Sequence, residues 1–339
     1  MSGIQRANGH KPEGLLDVLE FGLGSVPRPN PDELPYDLDA ALDSVMFLQA
    51  EAPADAYTAK TLGTERQGNG IAIGDDGLVL TIGYLITEAT TVKLTDNKRR
   101  SVAARVLAYD YDSGFGLVRA LEPLRVKPLA LGTAKPLKER DKIVVASFGG
   151  RKLAITASIV ARREFAGRWE YLVDEAIFTA PAHPAWSGAA LLGADGRLAG
   201  VGSLYVEDAV STGLRSPGNM FVPIDLLPPI MSDLIAYGRS RAALRPYLAM
   251  FTAELQGMLV VSHVAPGGPA ERAGIRPGDV IRRVNGEPAG SLAAFYRRLW
   301  AAGEAGAEIK IAIVREKMPL EITVRTADRY SFLKLTRPH

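Results

Sequence analysis

The stretch from Ser44 to about Val222 constrains the fold most. It is a series of short runs rich in Val, Ile, Leu and Thr, separated by turn signals, with no helical period between them. Asp75-Asp76-Gly77 lies between Ile71-Ala72-Ile73 and Leu78-Val79-Leu80-Thr81. Ala194-Asp195-Gly196 lies between Ala190-Leu191-Leu192 and Leu198-Ala199-Gly200-Val201. In both, glycine supplies the positive φ that a tight hairpin needs. Hairpins at this spacing predict an all-β unit, an antiparallel barrel or sandwich. Near Asp225 the period changes, since Leu226, Ile230, Leu234 and Ile235 fall on one helical face and Gly238 stands as a C-cap glycine.

A second unit begins after Pro246. A strand at Gly257-Met258-Leu259-Val260-Val261 is followed by a short helix around Pro269 to Ala273, a strand at Val280-Ile281, a helix from Ser291 to Ala301, and a strand pair, Glu308 to Val314 with Leu320 to Val324. Mixed α+β over about ninety residues makes a complete small domain. The predicted organisation is therefore a tail at 1–40, a β-barrel domain at 41–240, an α+β domain at 241–328 and a C-terminal tail at 329–339.

Composition narrows the function classes. With 40 Lys+Arg against 38 Asp+Glu the net charge is +2, so no global field argues for nucleic acid. There is no cysteine, which removes disulfides, thiolate metal sites and cysteine nucleophiles. Nowhere do about 18 apolar residues run without a charge or a Gly/Pro break, so no membrane span is expected. The first 33 residues lack the cationic and then apolar pattern of a secretory signal, because Asp17 and Glu20 interrupt the only apolar patch; a cytoplasmic location is the default expectation. Residues 1–60 carry ten acids against four bases, while residues 239–325 carry thirteen bases against eight acids. Leu15, Val18, Leu19 and Leu23 fall on one face of a helix too short to stand alone in water. They are expected to dock, either on this chain or on a partner.

The stretch V-V-S-H-V-A-P-G-G-P-A-E-R-A-G-I-R-P-G-D-V-I-R-R-V-N-G, Val260 to Gly286, closely resembles the protease-associated PDZ domains of bacteria. The resemblance implies capture of an extended peptide at a sheet edge, with a loop of backbone N–H groups holding its terminal carboxylate. That loop reads Y-L-G-hydrophobic in the family and Tyr247-Leu248-Ala249-Met250 here. Alanine at the glycine position costs of order 1 kcal/mol if φ is positive, or closes the loop.

With a PDZ-like unit following it, the β-domain resembles the chymotrypsin-type double barrel of the HtrA class of serine proteases. Gly68-Asn69-Gly70-Ile71 with D-D-G-L-V-L-T resembles that family's opening hairpin, and Phe221-Val222-Pro223-Ile224-Asp225 the segment before its closing helix. The implied fold class is mainly β, a chymotrypsin-like double barrel followed by an α+β PDZ domain. Where the family has T-N-A-H-V, this chain reads Thr81-Ile82-Gly83-Tyr84-Leu85, so the general-base position holds Tyr84. Where the family has D-x-x-T-D-L-A-L-L, Asp110 to Val118 put Gly114 at the position of the orienting acid. The nucleophile segment N-P-G-N-S-G-G-P-L matches His183-Pro184-Ala185-Trp186-Ser187-Gly188-Ala189-Ala190-Leu191, which retains Ser187. Ala185 replaces a glycine of the oxyanion loop, and Trp186 is expected to fill substrate space.

A serine nucleophile needs a base and the base an orienting group. His183 lies four residues before Ser187 and is the one histidine near it in sequence, but in this fold the base comes from the other barrel, so His183 is expected to be a polar loop residue rather than half of a local His183–Ser187 dyad. Asp75, Asp76, Asp110 and Asp112 fit turn chemistry, and neither metal nor cofactor is expected. The arginine doublets at 162–163, 282–283 and 297–298 read as solvated faces. The expectation is a catalytically inactive HtrA-like protein that binds a protein or a peptide C-terminus, as scaffold, chaperone-like factor or complex subunit. Its alternative is a serine endopeptidase with a noncanonical site using Ser187. The tail does not match the family's oligomerising segment, so homo-oligomer and complex subunit both stay open.

Overall fold

The computed structural model describes residues 26–211 and 213–335. The expected docking row Leu15, Val18, Leu19 and Leu23 lies outside the described residues. By its contacts the chain divides into two compact units. Among the described residues the first takes 26–163, 175–240 and 334–335, and the second takes Glu164–Asp174 and Arg241–Leu333.

In the first unit β1 (Val45–Glu51), β2 (Glu65–Ala72), β3 (Leu78–Ile82), β4 (Thr91–Thr95), β5 (Ser101–Tyr109) and β6 (Phe115–Ala120) close a barrel in the order β1-β2-β3-β6-β5-β4. A second closed barrel, β10-β11-β12-β9-β8-β7, is built from β7 (Lys142–Ala146), β8 (Ile155–Gly167), β9 (Tyr171–Ala180), β10 (Ala190–Leu192), β11 (Leu198–Val206) and β12 (Gly218–Pro223). Closure leaves no edge to protect. Every residue of β3 is buried, which is why its run reads as continuously apolar rather than alternating. Gly77 and Gly196 both adopt positive φ in their hairpins. Helix α1 (Leu38–Asp43) opens the first barrel, with the Asp37 carboxylate accepting from the Ala40 N–H at 3.1 Å, and buries Leu38 and Leu42 in the core.

Helix α2 (Pro228–Tyr237) ends at Gly238 in the left-handed conformation. Its buried face differs from the expected one. Leu234 is buried and Ile230 packs partly, but Leu226 is 40% and Ile235 37% exposed. Leu226 lies in the 3₁₀ turn before the helix starts, so it is out of the helical phase, and Ile235 sits one residue, about 100°, round from Leu234.

The second unit is an antiparallel sheet in the order β13-β14-β15-β17-β18, from β13 (Met250–Leu255), β14 (Met258–Val264), β15 (Val280–Val284), β17 (Glu308–Arg315) and β18 (Met318–Arg325); the short β16 (Glu287–Pro288) pairs with β15. Helices α3 (Pro269–Arg272) and α4 (Leu292–Ala301) cover it. Ser291 caps α4 by accepting from the Ala294 N–H, and Phe295, Tyr296 and Leu299 enter the core, each contributing roughly 1.5 to 3 kcal/mol by burial. Among the described residues no helix is long and apolar enough to cross a membrane.

Candidate active site and peptide loop

Ser187 follows the His183 segment just before β10 and is 2% exposed. Two backbone features hold its loop. Gly188 has φ +72°, and a Cβ there would lie 2.1 Å from the Asn69 carbonyl oxygen, so only glycine fits. Asn69, on β2 and fully buried, donates through Nδ2 to the carbonyls of Ala185 and Ser187, both at 2.9 Å, and its Oδ1 accepts from the Phe148 N–H at 2.8 Å. The Asn69 N–H also donates to the Ser187 carbonyl at 2.8 Å. In the sequence Asn69 stands out only as part of the opening hairpin. The signal for it is an amide side chain between two glycines just before the apolar end of a strand.

Tyr84, at the position aligned with the base, meets Ser187 at 2.7 Å between hydroxyl oxygens. Its hydroxyl also donates to the Ser203 carbonyl at 2.8 Å. A phenol has one proton, and a carbonyl can only accept. With the phenol proton committed to Ser203, the Ser187 hydroxyl must donate to Tyr84. The group facing Ser187 is thus a neutral phenol oxygen. Burial pushes the Tyr84 pKa well above the usual phenol range, partly countered by the bond with Ser187, so the phenolate that could act as a base is unavailable at neutral pH.

Gly114, at the position aligned with the acid, has φ +81° and accepts from the Gly83 N–H through its carbonyl at 2.7 Å. The ring of Tyr109 lies 2.3 Å from where a Cβ on Gly83 would be, closing that space. The neighbouring Asp110 carboxylate is used in its own turn, accepting from the N–H and hydroxyl of Ser113.

His183 does not face Ser187. It is fully buried; Nδ1 accepts from the Ala185 N–H at 3.0 Å, so Nε2 carries the proton and donates to the Leu153 carbonyl at 2.6 Å. Burial first, with a smaller contribution from Arg28 and against the Leu153 bond, lowers its pKa to about 4. Both ring nitrogens are occupied, so no local dyad forms, and the expected polar loop residue is a buried, neutral structural histidine. The same bond turns the Ala185 N–H inward, away from any oxyanion. Trp186 is half-buried and packs at 5.8 Å on Tyr205.

In the second unit Tyr247, Leu248, Ala249 and Met250 form the loop entering β13. Ala249 has φ +61°, so the alanine adopts the left-handed conformation rather than closing the loop. The arginines are not all solvated faces. Arg162 pairs with Glu175 at 2.9 Å and Arg163 lies over the Phe178 ring, whereas Arg297 is an exposed residue that pairs with Glu164 and Asp174.

Comparison with known proteins bears on this geometry. Residues 68–201 match the family described as trypsin-like peptidase domain, and residues 246–326 match the PDZ domain family. The chain thus carries a trypsin-like peptidase domain and one PDZ domain, an arrangement similar to that of HtrA-type proteases. It is 26% identical over 275 residues to the periplasmic pH-dependent serine endoprotease DegQ of Escherichia coli (strain K12), covering 77% of this chain and 59% of DegQ. It is 23% identical over 273 residues to the periplasmic serine endoprotease DegP of the same organism, covering 76% and 56%. The HtrA-like chain thus spans little more than half the length of these relatives. Among solved structures it shares the fold of the HtrA-type protease AlgW with decapeptide, at TM-score 0.52, 19% identity and coverage of 86% and 98%. The serine endoprotease from Yersinia pestis aligns at TM-score 0.51, 20% identity and coverage of 87% and 99%. The fold is the expected one, a chymotrypsin-like barrel domain followed by a PDZ domain. The cytoplasmic expectation is overturned, because DegQ and DegP are periplasmic and point to a periplasmic or secreted location. The charge and hydropathy of residues 1–33 are a local signal and do not fix the compartment.

Proposed function

We propose that this HtrA-like chain is a periplasmic or secreted protein without a working triad, whose task is to bind a peptide C-terminus or protein as scaffold, chaperone-like factor or complex subunit. The observation that carries the reading is the Tyr84 hydroxyl, which gives its proton to Ser203 and faces Ser187 as a neutral phenol. Further support comes from Gly114, which offers no carboxylate, and from the Ala185 N–H spent on His183. Loss of one oxyanion donor alone costs roughly 10² to 10³ in kcat elsewhere, and loss of a triad member more. Peptide capture is assigned to the loop Tyr247 to Met250, on the strength of the PDZ match.

A second reading is a serine endopeptidase using Ser187 through a noncanonical site. It is favoured by the retained serine and by DegQ and DegP being serine endoproteases. Incubation of the purified chain with a fluorophosphonate probe and with unfolded casein separates the two. The binding reading expects no label on Ser187 and no cleavage above that of Ser187→Ala. Cleavage that disappears in Ser187→Ala would establish the endopeptidase.

A further inference from the structure

The loop that should receive a peptide carboxylate already holds one. Glu170, at the tip between β8 and β9, is 2% exposed, and its carboxylate accepts from the Leu248 N–H at 3.0 Å and the Met250 N–H at 3.2 Å. Two residues earlier the Arg168 carbonyl accepts from the Thr252 N–H on β13 at 2.9 Å. A carboxylate in the loop and a backbone bond to the strand beside it is the pattern by which an extended peptide adds to a sheet edge. Here the carboxylate belongs to a side chain, and the segment added beside edge strand β13 comes from the same chain. Glu164–Asp174 groups with the PDZ unit by its contacts, and its Ala166 and Leu172 pack against that unit's core.

Helix α4, the other wall beside this segment, contributes polar contacts of its own. The Tyr296 hydroxyl donates to the Gly167 carbonyl at 2.8 Å and accepts from the Glu170 N–H at 3.1 Å. Arg297 pairs with Glu164 and Asp174 at the two ends of the segment. Arg329 donates to the Trp169 carbonyl at 3.0 Å. A buried carboxylate is tolerated only when bonded, as this one is by the Leu248 and Met250 N–H groups, and the contacts of Tyr296, Arg297 and Arg329 hold the segment that carries it.

We propose that Arg168-Trp169-Glu170 is an internal ligand of the peptide groove, with the Glu170 carboxylate in place of a C-terminal carboxylate, so that an outside peptide binds by displacing it. The inference rests on the reading of Tyr247 to Met250 as a peptide-capturing loop. Apparent affinity for an outside peptide is then the intrinsic one reduced by the fraction of chains whose tip is undocked.

The test uses the full chain and fluorescein-labelled decapeptides ending in Val, Leu or Phe, each as free carboxylate and as amide. By fluorescence polarisation, Glu170→Ala is expected to bind the free carboxylates about 10- to 100-fold more tightly than the parent chain, for an undocked fraction of about 1 to 10%. The amides should gain nothing. Hydrogen exchange reads the same event directly: the Leu248 and Met250 N–H groups should exchange slowly in the parent and fast in Glu170→Ala. Where the alanine variant fails to fold, Glu170→Gln carries the comparison, keeping shape while turning an NH2 toward one of the two N–H donors and so losing one of the two bonds. Equal peptide binding by parent and variant would overturn the internal ligand and leave the groove standing. Fast amides with no peptide bound would overturn the groove together with displacement. Amides that stay slow in the variant would overturn the docking itself.

Discussion

Removing one oxygen atom, by Tyr84→Phe, should destabilise the peptidase-like unit out of proportion to the change. The Tyr84 hydroxyl makes two bonds, from Ser187 at 2.7 Å and to the Ser203 carbonyl at 2.8 Å. Ser187 is 2% and Ser203 4% exposed, so water cannot readily replace the lost partner. Each buried polar group left unsatisfied costs roughly 1 to 3 kcal/mol. The Ser187 hydroxyl is free to rotate toward another acceptor whereas the Ser203 carbonyl is fixed, so the sum falls at about 2 to 4 kcal/mol. At ~2 to 4 °C per kcal/mol for a unit of this size, the melting transition should fall by about 5 to 15 °C. Ser187→Ala removes only the donor to the phenol and leaves the Ser203 bond intact, so it should cost about 1 kcal/mol.

The assay is chemical denaturation of the four proteins of a double-mutant cycle. If Ser187 donates to Tyr84, the two losses should be coupled by roughly 0.5 to 1.5 kcal/mol, because the serine bond is absent from both variants. Two results would refute the reasoning. A Tyr84→Phe chain within about 0.5 kcal/mol of the parent would mean that the phenol is solvated rather than committed. Zero coupling would mean that Ser187 points elsewhere, and with it the argument that a neutral phenol faces the serine would fall.

Two further outcomes are expected. Burial raises the Glu170 carboxyl from 4.5 to about 7, against the opposing pull of Arg329 and the N–H groups of Leu248, Met250 and Ala249, with Tyr296 as the other titratable group facing it. A pKa raised on docking favours the docked tip fully below about 4.5 and progressively less as pH rises through about 7, by up to ~3 kcal/mol; amide exchange at Leu248 and Met250, corrected for intrinsic rate, should be less protected at pH 8 than at pH 5 in the parent and flat in Glu170→Gln. Ala249→Gly should relieve a left-handed alanine worth roughly 1 to 2 kcal/mol while adding about 0.4 to 1 kcal/mol of unfolded-state freedom, so the PDZ unit should melt slightly higher, and a lower transition would show that the Ala249 side chain is needed for packing.

What could be read from the sequence follows how local each cause is. The Gly77 and Gly196 hairpins and the Gly238 helix stop are set by residues within a few positions of one another, and each is legible. Tyr84, Gly114 and Ser187 are singled out by the family motifs they resemble. The meeting of Tyr84 with Ser187 is not legible, because the two are 103 residues apart and no local rule specifies which way a hydroxyl proton points. The partners of His183 are illegible for the same reason. Four residues from the serine in sequence, its ring turns instead to Leu153, thirty residues away. Glu170 had no signal at all, as Arg-Trp-Glu-Tyr reads as an ordinary turn and its partners lie 78 and 80 residues on.

Self-saturation changes what each site can respond to. A serine hydroxyl already bonded to a phenol, and N–H groups already bonded to a carboxylate, lose only a difference of bonds when a ligand arrives, not the cost of dry, unpaired groups. The internal carboxylate also competes at the effective concentration of a tethered group, of order millimolar or more for a short connection. A peptide with intrinsic affinity near 1 µM would then read as about 10 to 100 µM against a tip undocked about 1 to 10% of the time. Only a segment that is abundant, held nearby or able to add bonds along β13 beyond Thr252 would win the groove. An internal Glu170 therefore makes the PDZ unit a threshold device, silent to stray C-termini and open to a partner that brings more than a carboxylate.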